Sequence, residues 1–318
     1  MQFRTQIPIA DSIKPISYNS KVVSLGSCFA VNIAEKLEYF KFQNSCNPFG
    51  ILFHPLAIEK LIDFAVSNKE FTAADVFFHN DHWHCYDAHS VLSNENAESL
   101  VKELNLIINA TSHQLRDASH IIITYGTAWV YENIESSTIV ANCHKVPQKQ
   151  FDKQILSVSA IENSIDRTLK LIEQLNSSAS VIFTVSPVRH IKDGFIENQL
   201  SKSHLISAIH SVLSTVDYQL NTEYFPSYEI MMDELRDYRF YNSDMLHPTP
   251  VAVDYIWERF KDTVIADSAL NTLDAVASIQ KSLQHRPFNP NSVSHQKFVQ
   301  NLNSKISEMV AQYSFMKF

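Results

Sequence analysis

The chain has 318 residues, 45% of them hydrophobic, with 26 Lys and Arg against 34 Asp and Glu for a formal net charge of −8. The acidic balance excludes a general nucleic-acid binder, which needs a basic face, and no apolar run approaches the ~18–20 residues needed to cross a bilayer. Residues 1–10 show no basic region leading into an apolar stretch and a cleavage site, so no signal peptide is read and a cytoplasmic location is expected, with no membrane or nucleic-acid partner.

The first predicted element is a short buried strand at 22–25, followed by a helix over 29–40 whose Phe29, Ile33, Leu37 and Phe40 share a face. Gly26-Ser27-Cys28 therefore occupies a strand-to-helix turn, where unpaired backbone N–H groups can hold an anion. A second strand is expected within 40–46, then the loop Asn47-Pro48-Phe49-Gly50 and a helix over 56–66 opened by Pro55. The aromatic and His-rich stretch 77–91 reads as a hairpin, and 94–115 as a helix. The third buried strand is placed at 120–124, ending on Tyr125-Gly126-Thr127. A hairpin with arms at 129–131 and 138–141 and a helix over 161–175 come next, then a fourth strand at 181–185 ending on Ser186-Pro187-Val188-Arg189-His190. A helix near 197–220, a fifth strand at 228–232, the loop Asp244-Met245-Leu246-His247-Pro248 and a helix over 251–260 complete the pattern. Strands alternating with helices predict an α/β fold, a parallel sheet covered on both faces. From about residue 266 the composition changes, and helices near 268–284 and 292–313 read as an extension packed on a main domain of residues 1–265.

Only four residues are glycine, where roughly twenty would be usual. Gly26, Gly50 and Gly126 end or follow apolar runs, and glycine at such places implies positive φ or a close backbone approach. The ends of parallel strands are also where α/β folds bind ligands. The four cysteines, Cys28, Cys46, Cys85 and Cys143, include no CxxC pair and read as free thiols.

Two elements carry the candidate chemistry. One is the pair Ser27 and Cys28 at a helix start; the other is Asp244-x-x-His247 far downstream. A hydroxyl or thiol nucleophile needs a base, and the base needs an orienting carboxylate. Either feature alone commonly means only a helix cap or a loop. Arg189 and His190 follow the fourth strand on the same rim and are candidates for an anionic or polar substrate group. His82 and His84 would share one strand face, but nothing between His79 and His89 matches a zinc signature, so no metal and no cofactor is expected. Trp83 and His89 are candidates for a cleft wall.

Gly26-Ser27-Cys28-Phe29-Ala30 resembles the signature of the GSCFA family, which is similar to the SGNH/GDSL hydrolase superfamily. The resemblance spans about residues 20–262 and includes Asn142-Cys143-His144-Lys145, Ser186 to His190, and Tyr238-Arg239-Phe240-Tyr241 before the Asp244 loop. It implies a flavodoxin-like three-layer α/β/α sandwich and an esterase-type mechanism. The superfamily's first block, Gly-Asp-Ser-Leu, lays its nucleophile on Cys28; a one-residue shift lays it on Ser27. The third block is expected to carry an oxyanion-binding Asn, but Gly126-Thr127-Ala128-Trp129 lacks it, and Asn142 or His144 is the expected substitute. Gly50 matches a second-block glycine whose N–H serves the oxyanion, and it is also explained by a simple turn. The expected activity is an esterase or acyltransferase acting on a small-molecule or carbohydrate ester. The alternatives are a ligand-binding protein that retains the fold, and a metal-dependent enzyme using the His-rich hairpin.

Overall fold

The computed structural model describes residues 5–215 and 218–318. In chain order its strands are β1 (Lys21–Gly26), β2 (Gln43–Cys46), β3 (Phe77–His79), β4 (His82–His84), β5 (His120–Tyr125), β6 (Trp129–Asn133), β7 (Thr138–Val140), β8 (Phe151–Ile155), β9 (Ser180–Val185) and β10 (Asn221–Phe225). The helices are α1 (Cys28–Tyr39), α2 (Pro55–Ser67), α3 (Ala97–Asp117), α4 (Val158–Leu175), α5 (Phe195–Thr215), α6 (Ser227–Glu229), α7 (Pro250–Val264), α8 (Asp267–Leu283) and α9 (Val293–Gln312).

Five strands form a parallel sheet in the order β2-β1-β5-β9-β10. Taken by their sequence within the sheet, the order is second, first, third, fourth, fifth. This is the flavodoxin-like doubly wound arrangement, and it places a topological switch point between β1 and β5. Side chains alternate across the sheet as a strand's period of two requires. Val23, Leu25, Ile121, Ile123, Val181 and Phe183 enter one apolar core with α2, α3, α4 and α5. Val22, Ile122 and Ile182 enter the other with α1 and α7. The molecule is thus a three-layer α/β/α sandwich. Ala269, Leu273, Val276 and Ile279 of α8 and Leu302 and Met309 of α9 are buried in the second core, beside Ile33, Leu37 and Trp257.

The amino-terminal segment lies along the base of the same layer. Ile16 bridges Ile265, Ser12 N donates to Thr263 O at 2.8 Å, and the Arg259 guanidinium donates to Ile7 O at 2.5 Å.

Several boundaries differ from expectation. The fifth strand is Asn221–Phe225, not 228–232. Pro226 follows the strand, and Tyr228, Ile230 and Met231 are buried on a helical segment in which α6 runs into a single π-turn, Ile230–Glu234. The apolar run there reflects burial from all sides rather than a strand, while β10, at the sheet edge, is half-buried and shows a weak pattern. Of the helix expected over 197–220, α5 accounts for Phe195–Thr215; residues 216 and 217 lie outside the described residues, as do residues 1–4. The 77–91 hairpin pairs only from Phe77 to His84, through a tight turn at Asn80 and Asp81, both with positive φ. The 129–141 hairpin gains an unexpected third strand, β8, paired antiparallel to β6.

Candidate functional site

The carboxyl ends of the parallel strands gather the candidate residues on one rim. β1 ends at Gly26, whose φ is +132°; a Cβ there would run into the Thr124 carbonyl oxygen of β5. Only glycine lets the two strands stay paired to this point. Ser27 follows as the N-cap of α1. Its N–H donates to Thr124 O at 3.0 Å, its Oγ accepts from Phe29 N at 3.4 Å, and it is fully buried.

Cys28 opens α1 and is half-buried. Burial pushes its thiol up, opposed by the charge of Lys202 and by the N–H groups of Cys28 and Phe29 at the helix start. The raised thiol is the resting form, and a thiol becomes a nucleophile only with a base to take its proton.

Asp244 and His247 supply a paired acid and base. Asp244 Oδ2 lies 2.7 Å from His247 Nδ1, while Oδ1 accepts from the N–H groups of Leu246 at 2.8 Å and His247 at 3.0 Å. Those two N–H groups, and then the ring, hold the Asp244 carboxyl down at about 2. It is ionised at neutral pH and orients the ring through Nδ1, which turns Nε2 away from the carboxylate. The His247 side chain is 48% exposed. No hydrogen bond joins it to Cys28 Sγ or Ser27 Oγ among the described residues. The loop is tied to the end of β9 through Arg189 N and Leu246 O at 3.3 Å.

The segment after β9 brings two more residues to the rim. His190 N donates to Asn198 Oδ1 at 2.8 Å, and the ring meets the Phe53 ring edge-on at 5.6 Å. Burial, then the charges of Lys202 and His247, push His190 down to about 4, so it is neutral. Arg189 Nη1 rests on Met232 Sδ at 3.4 Å, and its Nε is buried without a hydrogen-bond partner.

Three residues that sequence reasoning did not single out complete the rim. Asn47, at φ +45°, accepts from Gly26 N through Oδ1 at 2.7 Å and leaves Nδ2 buried without a partner. Phe53 accepts from the N–H groups of Gly126 at 2.8 Å and Thr127 at 3.0 Å, carrying its loop across the end of β5. Lys202, fully buried on α5, donates to Gly126 O and Ser186 O at 2.7 Å each. Asn47 directly follows the end of β2, a position that could have flagged it. Lys202 had only a faint signal, a polar residue on the inward face of a helix.

Other expected site residues are engaged elsewhere. The Gly50 N–H donates to Asn47 O at 2.8 Å, so it closes a turn rather than serving an oxyanion. Its φ of +73° and the nearness of the His89 side chain account for the glycine. Asn142 Oδ1 accepts from His144 N at 2.8 Å within its own turn. His144 is buried in an aromatic cluster with Phe77, Tyr86 and His84, with Nε2 on Cys85 O at 2.7 Å; it is a core residue rather than a substrate ligand. The cluster is dry enough to push His144 down to about 4, chiefly by burial. The Trp83 ring packs on Phe78, and His89 caps the turn Ser90–Leu92. The hairpin histidines are likewise committed: His84 bonds to Ser93 Oγ and His79 O. No group of three or more His, Cys, Asp or Glu among the described residues is placed to hold a metal ion.

The assembly is an α/β protein with a thiol at a helix start and an Asp–His pair on the same rim. A family model described as the GSCFA family matches residues 21–260, and one described as the GSCFA domain protein, C-terminal domain, matches residues 276–318. The chain belongs to the GSCFA family. No curated protein matches it. No helix among the described residues is long and apolar enough to cross a membrane.

Proposed function

We propose that the protein is an SGNH-type esterase or acyltransferase that uses Cys28 as nucleophile on a small-molecule or carbohydrate ester. The observation that carries this reading is the 2.7 Å Asp244–His247 pair. It leaves Nε2 free on a loop fixed to the strand rim that also presents the half-buried Cys28. In the forward step Nε2 takes the thiol proton as Sγ bonds to the acyl carbon. The tetrahedral oxyanion is received by the Cys28 N–H, and Asn47 Nδ2, buried and unpartnered beside Gly26, is the candidate second donor in the part of the missing third-block Asn. The C–O bond then breaks, and His247 returns the proton to the departing alcohol. Water or a second alcohol, deprotonated by the same His247, attacks the thioester and releases Cys28. Cys28 is preferred to Ser27 for this role because the Ser27 hydroxyl is buried and accepts the N-cap bond from Phe29 N.

The test is turnover of p-nitrophenyl acyl esters and acetylated sugars by wild type, Cys28→Ala and Ser27→Ala. Loss in Cys28→Ala with retention in Ser27→Ala supports the assignment; turnover surviving in Cys28→Ala overturns it. The second reading, a ligand-binding protein, is favoured by the absence of a Cys28–His247 hydrogen bond. It predicts that wild type binds an ester without releasing its alcohol.

A further inference from the structure

The rim carries basic side chains and buried unpaired donors that the described residues do not satisfy. Lys202 is 0% exposed, and among the described residues its hydrogen-bond partners are two carbonyls. Arg189 stands close enough for its charge to act on Lys202, and neither forms an ion pair among the described residues. Arg189 Nε, His190 Nε2 and Asn198 Nδ2 are all buried without a partner, Asn198 at 2% exposure.

Most of the acids around them are already committed, with the Glu197 carboxylate folded over Gly194 as the exception. Asp193 pairs with Lys153, Asp233 with Arg236, and Asp237 with Arg239. Glu229 accepts from the Tyr224 hydroxyl, and Asp244 holds His247. Buried cations and donors are normally matched, because each unmatched one carries a desolvation penalty. In a chain with eight more acids than bases, these unpaired donors beside basic side chains are the feature that an outside group would satisfy.

We propose that the rim beside Cys28 is an anion subsite, and that the substrate is an ester bearing a carboxylate or phosphate group. Arg189 and His190, the half-buried members, touch the anion; Asn198 and Lys202 stand behind them as donor and as an amine whose charged form the anion favours. The neighbouring cavity of about 250 Å³, lined by Arg189, Met232, Tyr241 and Met245, takes the apolar part of the same molecule. The identity of the attacked ester rests on the function proposed above, but the subsite itself is tested without turnover.

The probes are iodoacetate and iodoacetamide, which deliver the same alkylation with and without a negative charge. Rates are read at the Cys28 peptide by mass spectrometry, with Cys143 as internal reference. The expected result is an iodoacetate-to-iodoacetamide rate ratio about tenfold higher at Cys28 than at Cys143. That preference is lost in Arg189→Gln and is competed away by succinate or by inorganic phosphate, whichever chemistry the subsite takes. Equal ratios at the two cysteines overturn the proposal. If Cys28 reacts with neither reagent, its role as nucleophile fails, and calorimetric binding of succinate and of phosphate to wild type and Arg189→Gln decides the subsite: no binding to wild type, or equal binding to both, overturns it. Preference for iodoacetate without turnover of any ester would leave the subsite standing and remove the esterase.

Discussion

At the scale of single residues, the site separates shape from chemistry in ways that substitutions can read. Asp244 is exposed and makes its bonds within its own loop. Asp244→Asn should therefore leave stability nearly unchanged while lowering kcat by about four orders of magnitude, because the wrong imidazole tautomer is held. Steady-state kinetics beside urea unfolding checks this, and full activity in the mutant removes Asp244 from the mechanism. Asn47→Asp keeps the oxygen that accepts from Gly26 N and deletes the unpaired Nδ2 donor. It should lower kcat by about 10²–10³ with KM little changed; a pure KM effect would place Asn47 in binding alone. Burial lowers Lys202 to about 7, with Cys28 acting in the opposite sense and Arg189 in the same one. Tyr228 lies under the ammonium at 5.7 Å, and His190 feels its charge. An anion that favours the charged amine should thus bind with proton uptake above pH 7 and weaken as pH rises from there towards the ordinary Lys range. Calorimetry in buffers of different ionisation heat measures this, and a buffer-independent heat contradicts it.

At the scale of elements, turns and helix starts explain both what the sequence made readable and what it hid. The turn after β1 was legible because apolar strand, glycine, capping serine and amphipathic helix occur in immediate succession. The Asp244 loop was legible because its acid and base are three residues apart. The proposed oxyanion donor was not: Asn47 owes its position to a left-handed turn and to Gly26 N, both products of the folded loop. Lys202 was hidden because the start of α5 is inverted. Phe195 and Ile196 are 65% and 79% exposed, while Asn198, Ser201 and Lys202 face inward, so periodicity points the wrong way. The Gly50 turn offers a stability test. Gly50→Ala must hold φ near +73° and displace His89, and should cost about 1–3 kcal/mol from backbone strain alone. Chemical denaturation decides it, and an unchanged midpoint would show that the loop can relax.

At the scale of the whole molecule, the layers and parallel sheet followed from alternation of β and α patterns, while the edge strand and the third strand of the small sheet did not. β10 is half-buried along nearly all its length, so its period fades, while β8 alternates in burial but sets Lys153 at its central inward position, which hides the apolar alternation. Three histidines in separate parts of the fold, His54, His144 and His190, are each pushed down to about 4, burial being the largest cause in every case. The unfolded chain would bind their protons near pH 6.5. Folded pKa values below unfolded ones mean that this stability is present above pH 6.5 and is lost as pH falls towards 4. Urea midpoints should decline across that window, and less steeply in a variant lacking the His54 ring. A flat profile would contradict the buried, neutral state of these rings.

The seam at the base of the sandwich has a consequence for the order in which the protein comes into being. Arg259 and Ile7, joined by one hydrogen bond, are 252 residues apart, and Ile16, fully buried, pairs beside Ile265. A ribosome adding about 5–20 residues per second leaves the first segment without its partner for some tens of seconds. During that time Ile16 lacks Val264 and Ile265, Ile7 lacks Arg259, and the layer containing α1 lacks α7, α8 and α9. Emergence of the last helices is therefore the event that seals this face, and a nascent chain stalled before residue 250 presents to chaperones an apolar flank that the finished protein never shows.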